Sequence, residues 1–241
     1  MRAYGKTDIG KVRESNQDCF VLSTDGALPV WAVVCDGMGG VSGGYYASST
    51  AAASFTHSME ASFEGLKPRQ IENLLREAIS VANTGVYEAA CAQSDLTGMG
   101  TTLVAVLVLD ETAYVAHVGD SRAYLIGKDG AHRLTVDHSV VQQLVQIGQI
   151  TEDEARVHPE KHMITRAVGV KESVDADVHS FRLKKGDRLL LCTDGLTNFI
   201  SDDELAALAA EHPEAEEAVA ALIETALQRG GSDNITAVIL Q

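Results

Sequence analysis

Several aspartates in this chain share a setting that suits them for chemistry. Val33-Val34-Cys35 ends in Asp36-Gly37, Leu190-Leu191-Cys192-Thr193 ends in Asp194-Gly195, and Ala116-His117-Val118-Gly119 ends in Asp120. Asp233-Asn234 stands at the mouth of the last apolar run, and Asp18 lies beside the first. An Asp-Gly pair is most often a turn, and Asp129-Gly130, preceded by polar Lys128, reads as a hairpin turn. The other two pairs differ. After Asp36 the chain enters a Gly-rich stretch and then a helix, and after Asp194 it runs through Leu196-Thr197-Asn198-Phe199 into a helical stretch. A carboxylate at the end of a buried strand needs compensation, and several brought together repel unless cations sit between them. Oxygen-only donors suit hard divalent ions such as Mg²⁺ and Mn²⁺, and a glycine after the aspartate lets a backbone carbonyl approach. Two such ions roughly 4 Å apart can share a hydroxide and clamp a phosphoryl group. Arg13, five residues before Asp18, carries the forked guanidinium that suits two phosphate oxygens, although its spacing fits a surface arginine equally well.

These residues need strands and helices to bring them together. Residues 19–24 and 30–36 read as strands, the second almost wholly apolar and therefore buried. Residues 37–44 read as a Gly-rich loop, followed by a helix with Ala47, Ala51, Phe55 and Met59 on one face. Pro68 fits the first position of a further helix whose core side is Ile71, Leu74, Leu75, Ala78, Ala82 and Val86. Strands are expected at 101–109, 112–118 and 122–126, with the link Asp110-Glu111 short enough for a hairpin between antiparallel neighbours. Residues 139–148 and 151–157 read as short helices, the second opening with Thr151 and Glu154 at capping-box spacing. Strands at 176–183 and 188–193 precede helices at 202–210 and from Ala215, the latter burying Ala218, Val219, Leu222, Ile223 and Ala226. A strand at 234–240 closes the chain. Strands and helices fall in blocks, which argues for a layered α+β domain and against a doubly wound parallel sheet.

The 241 residues include no Pro-, Gly- or Ser-rich linker, so one domain spanning 1–241 is expected. No apolar stretch approaches the roughly 20 residues of a membrane span, and residues 1–10 lack the apolar core of a secretory signal; the expectation is a soluble, cytoplasmic protein with no membrane partner. The formal net charge of −15 disfavours nucleic-acid binding, which needs Lys and Arg on the phosphates. Cys19, Cys35, Cys91 and Cys192 have spacings that suit neither a zinc ribbon nor a disulfide framework, and none has the Arg six positions on that a cysteine-dependent phosphatase requires. His158 and His162 have a metal-like spacing but flank Pro159-Glu160-Lys161, which reads as a solvated loop. Residues 37–44 lack the Lys-Ser/Thr of a nucleotide-binding P-loop. Asp137-His138-Ser139 holds the residue types of a hydrolase triad, but consecutive side chains rarely converge, and there is no Gly-x-Ser-x-Gly elbow.

Arg13-Glu14-Ser15-Asn16-Gln17-Asp18 resembles the opening motif of the metal-dependent protein phosphatases of the protein phosphatase 2C class. So do Asp36-Gly37-Met38-Gly39-Gly40, Gly98-Met99-Gly100-Thr101-Thr102, Gly119-Asp120-Ser121-Arg122, Thr193-Asp194-Gly195-Leu196 and Ser232-Asp233-Asn234-Ile235-Thr236. Six motifs agree in order and spacing from about Asp8 to the C-terminus, and the compact length is similar to the bacterial branch. The resemblance implies a four-layer αββα sandwich of two antiparallel β-sheets flanked by helices, with two central Mn²⁺ or Mg²⁺ ions in a cleft. It implies that Asp36 bridges them, that Gly37 offers its carbonyl, and that Asp194 and Asp233 complete the first ion while Asp18 holds waters on the second. Asp120 with Asp194 would form a weaker third site, Arg13 would bind the substrate phosphate, and a flap would occupy about 139–168. The implied activity is hydrolysis of phosphoserine and phosphothreonine on proteins by direct attack of a metal-bridging water, opposing a bacterial Ser/Thr kinase. The implied partners are therefore phosphoprotein substrates, and a monomer is the default.

The chain departs from the family near the cleft. Many bacterial members have His and Glu where Val41 and Tyr45 stand, and animal members have His where Met38 stands, so the proton donor is unassigned. Two other readings keep the sequence: a phosphatase of a small phosphorylated metabolite, and a non-catalytic phosphoprotein-binding relative. The intact set Asp18, Asp36, Asp120, Asp194 and Asp233 argues against the second.

Overall fold

The computed structural model describes residues 1–23, 29–62 and 67–241. Among them the strands are β1 (Ala3–Asp8), β2 (Asp18–Leu22), β3 (Val30–Met38), β4 (Gly100–Thr101), β5 (Leu103–Leu109), β6 (Thr112–Val118), β7 (Arg122–Gly127), β8 (Gly130–Arg133), β9 (Asp177–Arg182), β10 (Arg188–Cys192) and β11 (Ile235–Leu240). The helices are α1 (Gly40–Ser62), α2 (Pro68–Ala92), α3 (Val140–Gln146), α4 (Glu152–Val157), α5 (Asp194–Thr197), α6 (Asp202–Glu211) and α7 (Ala215–Gln228). One sheet has the order β1-β11-β10-β7-β8; the other runs β2-β3-β5-β6-β9, with β4 added to β3. Every strand pair is antiparallel.

Period-two alternation explains the layers. Ala32 and Val34 of β3 face Leu189, Leu191 and Val238 of the other sheet. Trp31, Val33 and Cys35 face α1 and α2 through Ala47, Ala51, Phe55, Met59 and Leu75. β3 is apolar at nearly every position because both of its faces are buried. On the far side Leu190, Cys192, Ile235, Ala237 and Ile239 pack beneath α6 and α7, which contribute Leu205, Val219, Leu222 and Ile223. The result is the αββα sandwich expected from the sequence.

Several boundaries differ from the expectation. β3 continues through Asp36 to Met38 and α1 already begins at Gly40, so half of the anticipated Gly-rich loop is the first helical turn. β1 is additional; its sequence AYGKTD is mostly half-buried and shows no apolar alternation. The expected strand at 101–109 breaks at Thr102 into β4 and β5. The strand expected at 19–24 ends at Leu22, and Thr24 lies outside the described residues, as does the side chain of Val41. β5 and β6 form the anticipated hairpin, whereas β7 crosses into the other sheet to pair with β10. That crossing uses residues 119–121, where Gly119 adopts φ 106°, and it delivers Asp120 to the gap between the sheets. Thr151 and Glu154 make the capping box foreseen for α4.

The outer layer should carry measurable stability. Phe55 is 1% exposed and meets Trp31 edge-on, with ring centroids 6.2 Å apart. Phe55→Ala should cost about 3–5 kcal/mol and lower the midpoint of thermal unfolding by roughly 2–4 °C for each of them. A midpoint within a degree of wild type would show that α1 is not a cohesive part of the fold.

Candidate metal centre and active site

Strand pairing assembles the site. Asp18 and Asp36 are direct cross-strand partners on β2 and β3, a juxtaposition that destabilises like charges. β10 and β11 are antiparallel neighbours, so Asp194, just after β10, and Asp233, just before β11, meet at the same end of the other sheet. Asp120 arrives on the crossing between sheets. Arg13, Asp36, Gly37, Asp120, Asp194 and Asp233 line one cleft of about 980 Å³, with Gln17, Met38, Lys161 and His162 also on its walls. Asp18 is buried behind Asp36 at 5% exposure.

Burial, with the charge of its neighbours, holds the Asp36 carboxyl well above the usual carboxylate range. For the same reasons Asp18 is raised to about 7 and Asp120 to about 8. Asp18 also joins the two sheets. Its Oδ2 accepts hydrogen bonds from Thr193 Oγ1 at 2.9 Å and Thr236 Oγ1 at 2.7 Å, both on the opposite sheet. Its Oδ1 is buried with no hydrogen-bond partner, which such an atom tolerates poorly.

The remaining motif residues brace this arrangement. Thr102 Oγ1 accepts from the Asp36 amide at 2.9 Å, and Thr101 Oγ1 donates to the Asp36 carbonyl at 2.8 Å. Asn234 Oδ1 accepts from the Gln17 amide, while its Nδ2 donates to the carbonyls of Ile9 and Ser15. One buried amide thus fixes the loop that carries Arg13, whose Nη2 reaches Asp233 Oδ2 at 2.8 Å. The two Asp-Gly glycines answer to packing. A side chain at Gly37 would run into the Gly44 carbonyl at the start of α1, and one at Gly195 would run into the Asn234 carbonyl.

The sequence profile of the family described as Protein phosphatase 2C matches residues 10–237. The chain belongs to the protein phosphatase 2C family. The serine/threonine phosphatase stp of Listeria innocua is 35% identical across 100% of this chain and 96% of that protein. Protein phosphatase PhpP of Streptococcus pneumoniae is 33% identical over 97% of this chain and 94% of its own length. The crystal structure of serine/threonine phosphatase Stp1 from Staphylococcus aureus superposes with a TM-score of 0.93 at 36% identity, covering 98% of this chain and 93% of that one.

Protein phosphatase 2C chains are metal-dependent, and the residues present here fit that requirement. The donor set is all oxygen, Asp18 Oδ1 is an orphan, and the elevated carboxyls mark a negative charge that the protein alone leaves under-compensated. A second set, His117, His138 and Asp177, is spaced closely enough to hold an ion. Several of its polar atoms are engaged in hydrogen bonds. His117 Nε2 donates to the Val136 carbonyl, His138 Nδ1 accepts from the Gly119 amide, and Nε2 of His138 faces Asp177 at 3.3 Å. Burial lowers the pKa of both rings, that of His117 to about 4, which favours the neutral forms that two imidazoles stacked 4.6 Å apart call for. Asp137, His138 and Ser139 diverge as expected, to Arg122, to Gly119 and Asp177, and to the N-cap of α3.

His162 corrects the sequence reading. It lies in the cleft with Nδ1 3.4 Å from Asp194 Oδ2, and that contact raises its pKa, so it is not part of a merely solvated loop. Lys161, the residue before it, reaches Asn198, which in turn donates to Asp194. No periodicity marks this segment; only the tertiary fold brings it to Asp194. His158 does lie away from the cleft, its Nδ1 accepting from the Glu160 amide.

The raised carboxyls have a consequence for stability. Without cations the folded protein retains protons that the unfolded chain releases near pH 3.8, so these groups stabilise the fold at low pH and lose that contribution as pH rises through about 7 to 8. Above pH 6.5 the unfolded imidazoles lose their protons, so the opposing effect of His117 and His138, whose pKa values burial lowers in the fold, fades. In EDTA the unfolding midpoint should therefore fall between pH 6.5 and about 8, and Mn²⁺ should raise it more at the higher pH. A midpoint that rises with pH in EDTA would contradict this account of the cluster.

Proposed function

We propose that this chain is a metal-dependent phosphatase that hydrolyses phosphoserine and phosphothreonine on other proteins. One observation carries the reading: Asp18, Asp36, Asp120, Asp194 and Asp233 converge with Arg13 at one end of the sandwich. Asp36, Asp194 and Asp233 would hold the first of two central Mn²⁺ or Mg²⁺ ions, and the Gly37 carbonyl would add a further oxygen to the pair. Asp36 and Asp18, the latter through waters, would hold the second, and Asp120 with Asp194 a weaker third. When bound, such ions supply Lewis-acid polarisation of the phosphoryl oxygens and acidify water toward neutral pH.

The protein's own residues orient and hold. Arg13 is half-exposed and can leave Asp233 for two oxygens of the phosphate, presenting its fork to charge that spreads over them as the ester breaks. Thr193 and Thr236 fix Asp18, and Thr101 and Thr102 fix the backbone of Asp36. Met38 has no acidic proton and cannot protonate the departing serine or threonine oxygen. Residues 139–168 act as a flap, with Lys161 and His162 on the cleft wall. The names of the relatives in Listeria, Streptococcus and Staphylococcus support phosphoproteins as substrates. On this reading the enzyme is a cytoplasmic monomer opposing a Ser/Thr kinase.

Hydrolysis of a phosphothreonine peptide by the purified protein tests the assignment. Turnover should require Mn²⁺ or Mg²⁺, stop with EDTA and survive thiol-blocking reagents; no turnover with any divalent ion in folded protein would refute it. Asp36→Ala and Asp233→Ala should reduce turnover to background with the fold retained by circular dichroism. Asp120→Ala should lower the rate while metal analysis still finds two ions; loss of both would overturn its assignment to the third site.

A further inference from the structure

A second groove opens directly from the cleft. Met38 and Ile164 line both, and beyond them a concavity of about 480 Å³ continues past Ala167, Val170 and Val174 to Arg166 and Lys171 at the rim. Aliphatic side chains form one side of it, with Thr165, Ser173 and Asp175 also on the lining: Val170 is 45% exposed, Met38 and Ile164 are half-buried, and Val174 packs from beneath against the core. Gly100 helps to shape it. A Cβ at that position would lie 2.7 Å from a Val170 methyl and 2.9 Å from the Met38 terminal methyl, so the missing side chain lets these two come together as the ridge between cleft and groove.

The wall of this groove is anchored. Buried Asn83 of α2, 1% exposed, accepts from the Gly169 amide at 2.8 Å and donates to the carbonyls of Lys171 and Glu172 at 3.0 Å. Val168 exchanges backbone hydrogen bonds with Thr101. Val170 is therefore presented by a segment tied down on both sides, and an apolar group binding there would meet a preformed surface with little ordering cost. None of this is needed to hold cations or a phosphate. Its continuity with the cleft across Met38 and Ile164 makes the occupant a part of the molecule whose phosphate sits at the aspartates.

We propose that this groove, formed by Met38, Ile164, Ala167, Val170 and Val174, is a specificity subsite that takes an aliphatic side chain of the substrate polypeptide flanking the phosphoresidue. The assignment rests on the phosphatase reading above. Filling an aliphatic pocket of this kind discriminates by about tenfold or more, enough to rank phosphoproteins that present identical phosphate esters.

The test uses the whole protein with Mn²⁺ and phosphothreonine peptides carrying Leu, Gly, Asp or Lys in turn at each position flanking the phosphoresidue, with p-nitrophenyl phosphate alongside. At one flanking position wild type should favour Leu over Gly by about tenfold in kcat/KM. Val170→Asp should lose that preference and favour Lys at the same position, a gain that a misfolded variant cannot produce. Equal kcat/KM for Leu and Gly at every position, with p-nitrophenyl phosphate turned over, would overturn the subsite and leave the phosphatase reading standing. So would a Leu preference that Val170→Asp leaves intact. Failure of wild type to hydrolyse even p-nitrophenyl phosphate would instead remove the phosphatase reading, and the subsite with it.

Discussion

Carboxylates repel one another, and burial strengthens the repulsion because little water remains to screen it. At the cleft end of this sandwich Asp18 and Asp36 face each other across adjacent strands, while Asp194 and Asp233 approach from the other sheet and Asp120 from the crossing between the two. The rest of the architecture can be understood as the means of keeping them together. Three separate apolar layers supply the cohesion, and the strand ends are held by hydrogen bonds donated by Thr101, Thr193 and Thr236 and accepted by Thr102 and Asn234. On the proposed reading, the repulsion that remains is what would draw metal ions to the cluster.

The division of labour among the motif residues follows from this. Aspartates carry the charge, while the threonines and the asparagine beside them carry geometry. Asp18 shows the two roles meeting in one carboxylate: one oxygen takes hydroxyl donors from the facing sheet, and the other is kept without any. His138 acts at a further remove, accepting the Gly119 amide next to Asp120 while facing Asp177 with its other nitrogen. A neutral ring is required for that acceptor, and burial secures it.

Much of this could be read from the sequence because burial leaves periodic marks. Ala47, Ala51, Phe55 and Met59 repeat every fourth residue and all four are buried in α1. β3 is apolar from Val30 to Cys35 because it is covered on both faces, and an aspartate after such a run stands out. Other features left no such mark. β1 is an edge strand with small and polar residues, and Gly43 and Gly44 in the first turn of α1 look like a loop because they serve close packing. β7 leaves its predecessor's sheet for the opposite one just after Gly119, at φ 106°, and no alternation within the strand signals the change. His162 sits in a polar stretch whose place over Asp194 depends on contacts distant in sequence.

The two Asp-Gly glycines have an implication for judging descent. Gly37 and Gly195 are demanded by the closeness of the Gly44 and Asn234 carbonyls, a requirement of the scaffold that holds whether or not any ester is ever cleaved. A lineage that had abandoned catalysis would be free to exchange its aspartates and would still keep both glycines to remain folded. The glycine of each pair therefore testifies to shared ancestry, and only the aspartate before it bears witness to a living enzyme.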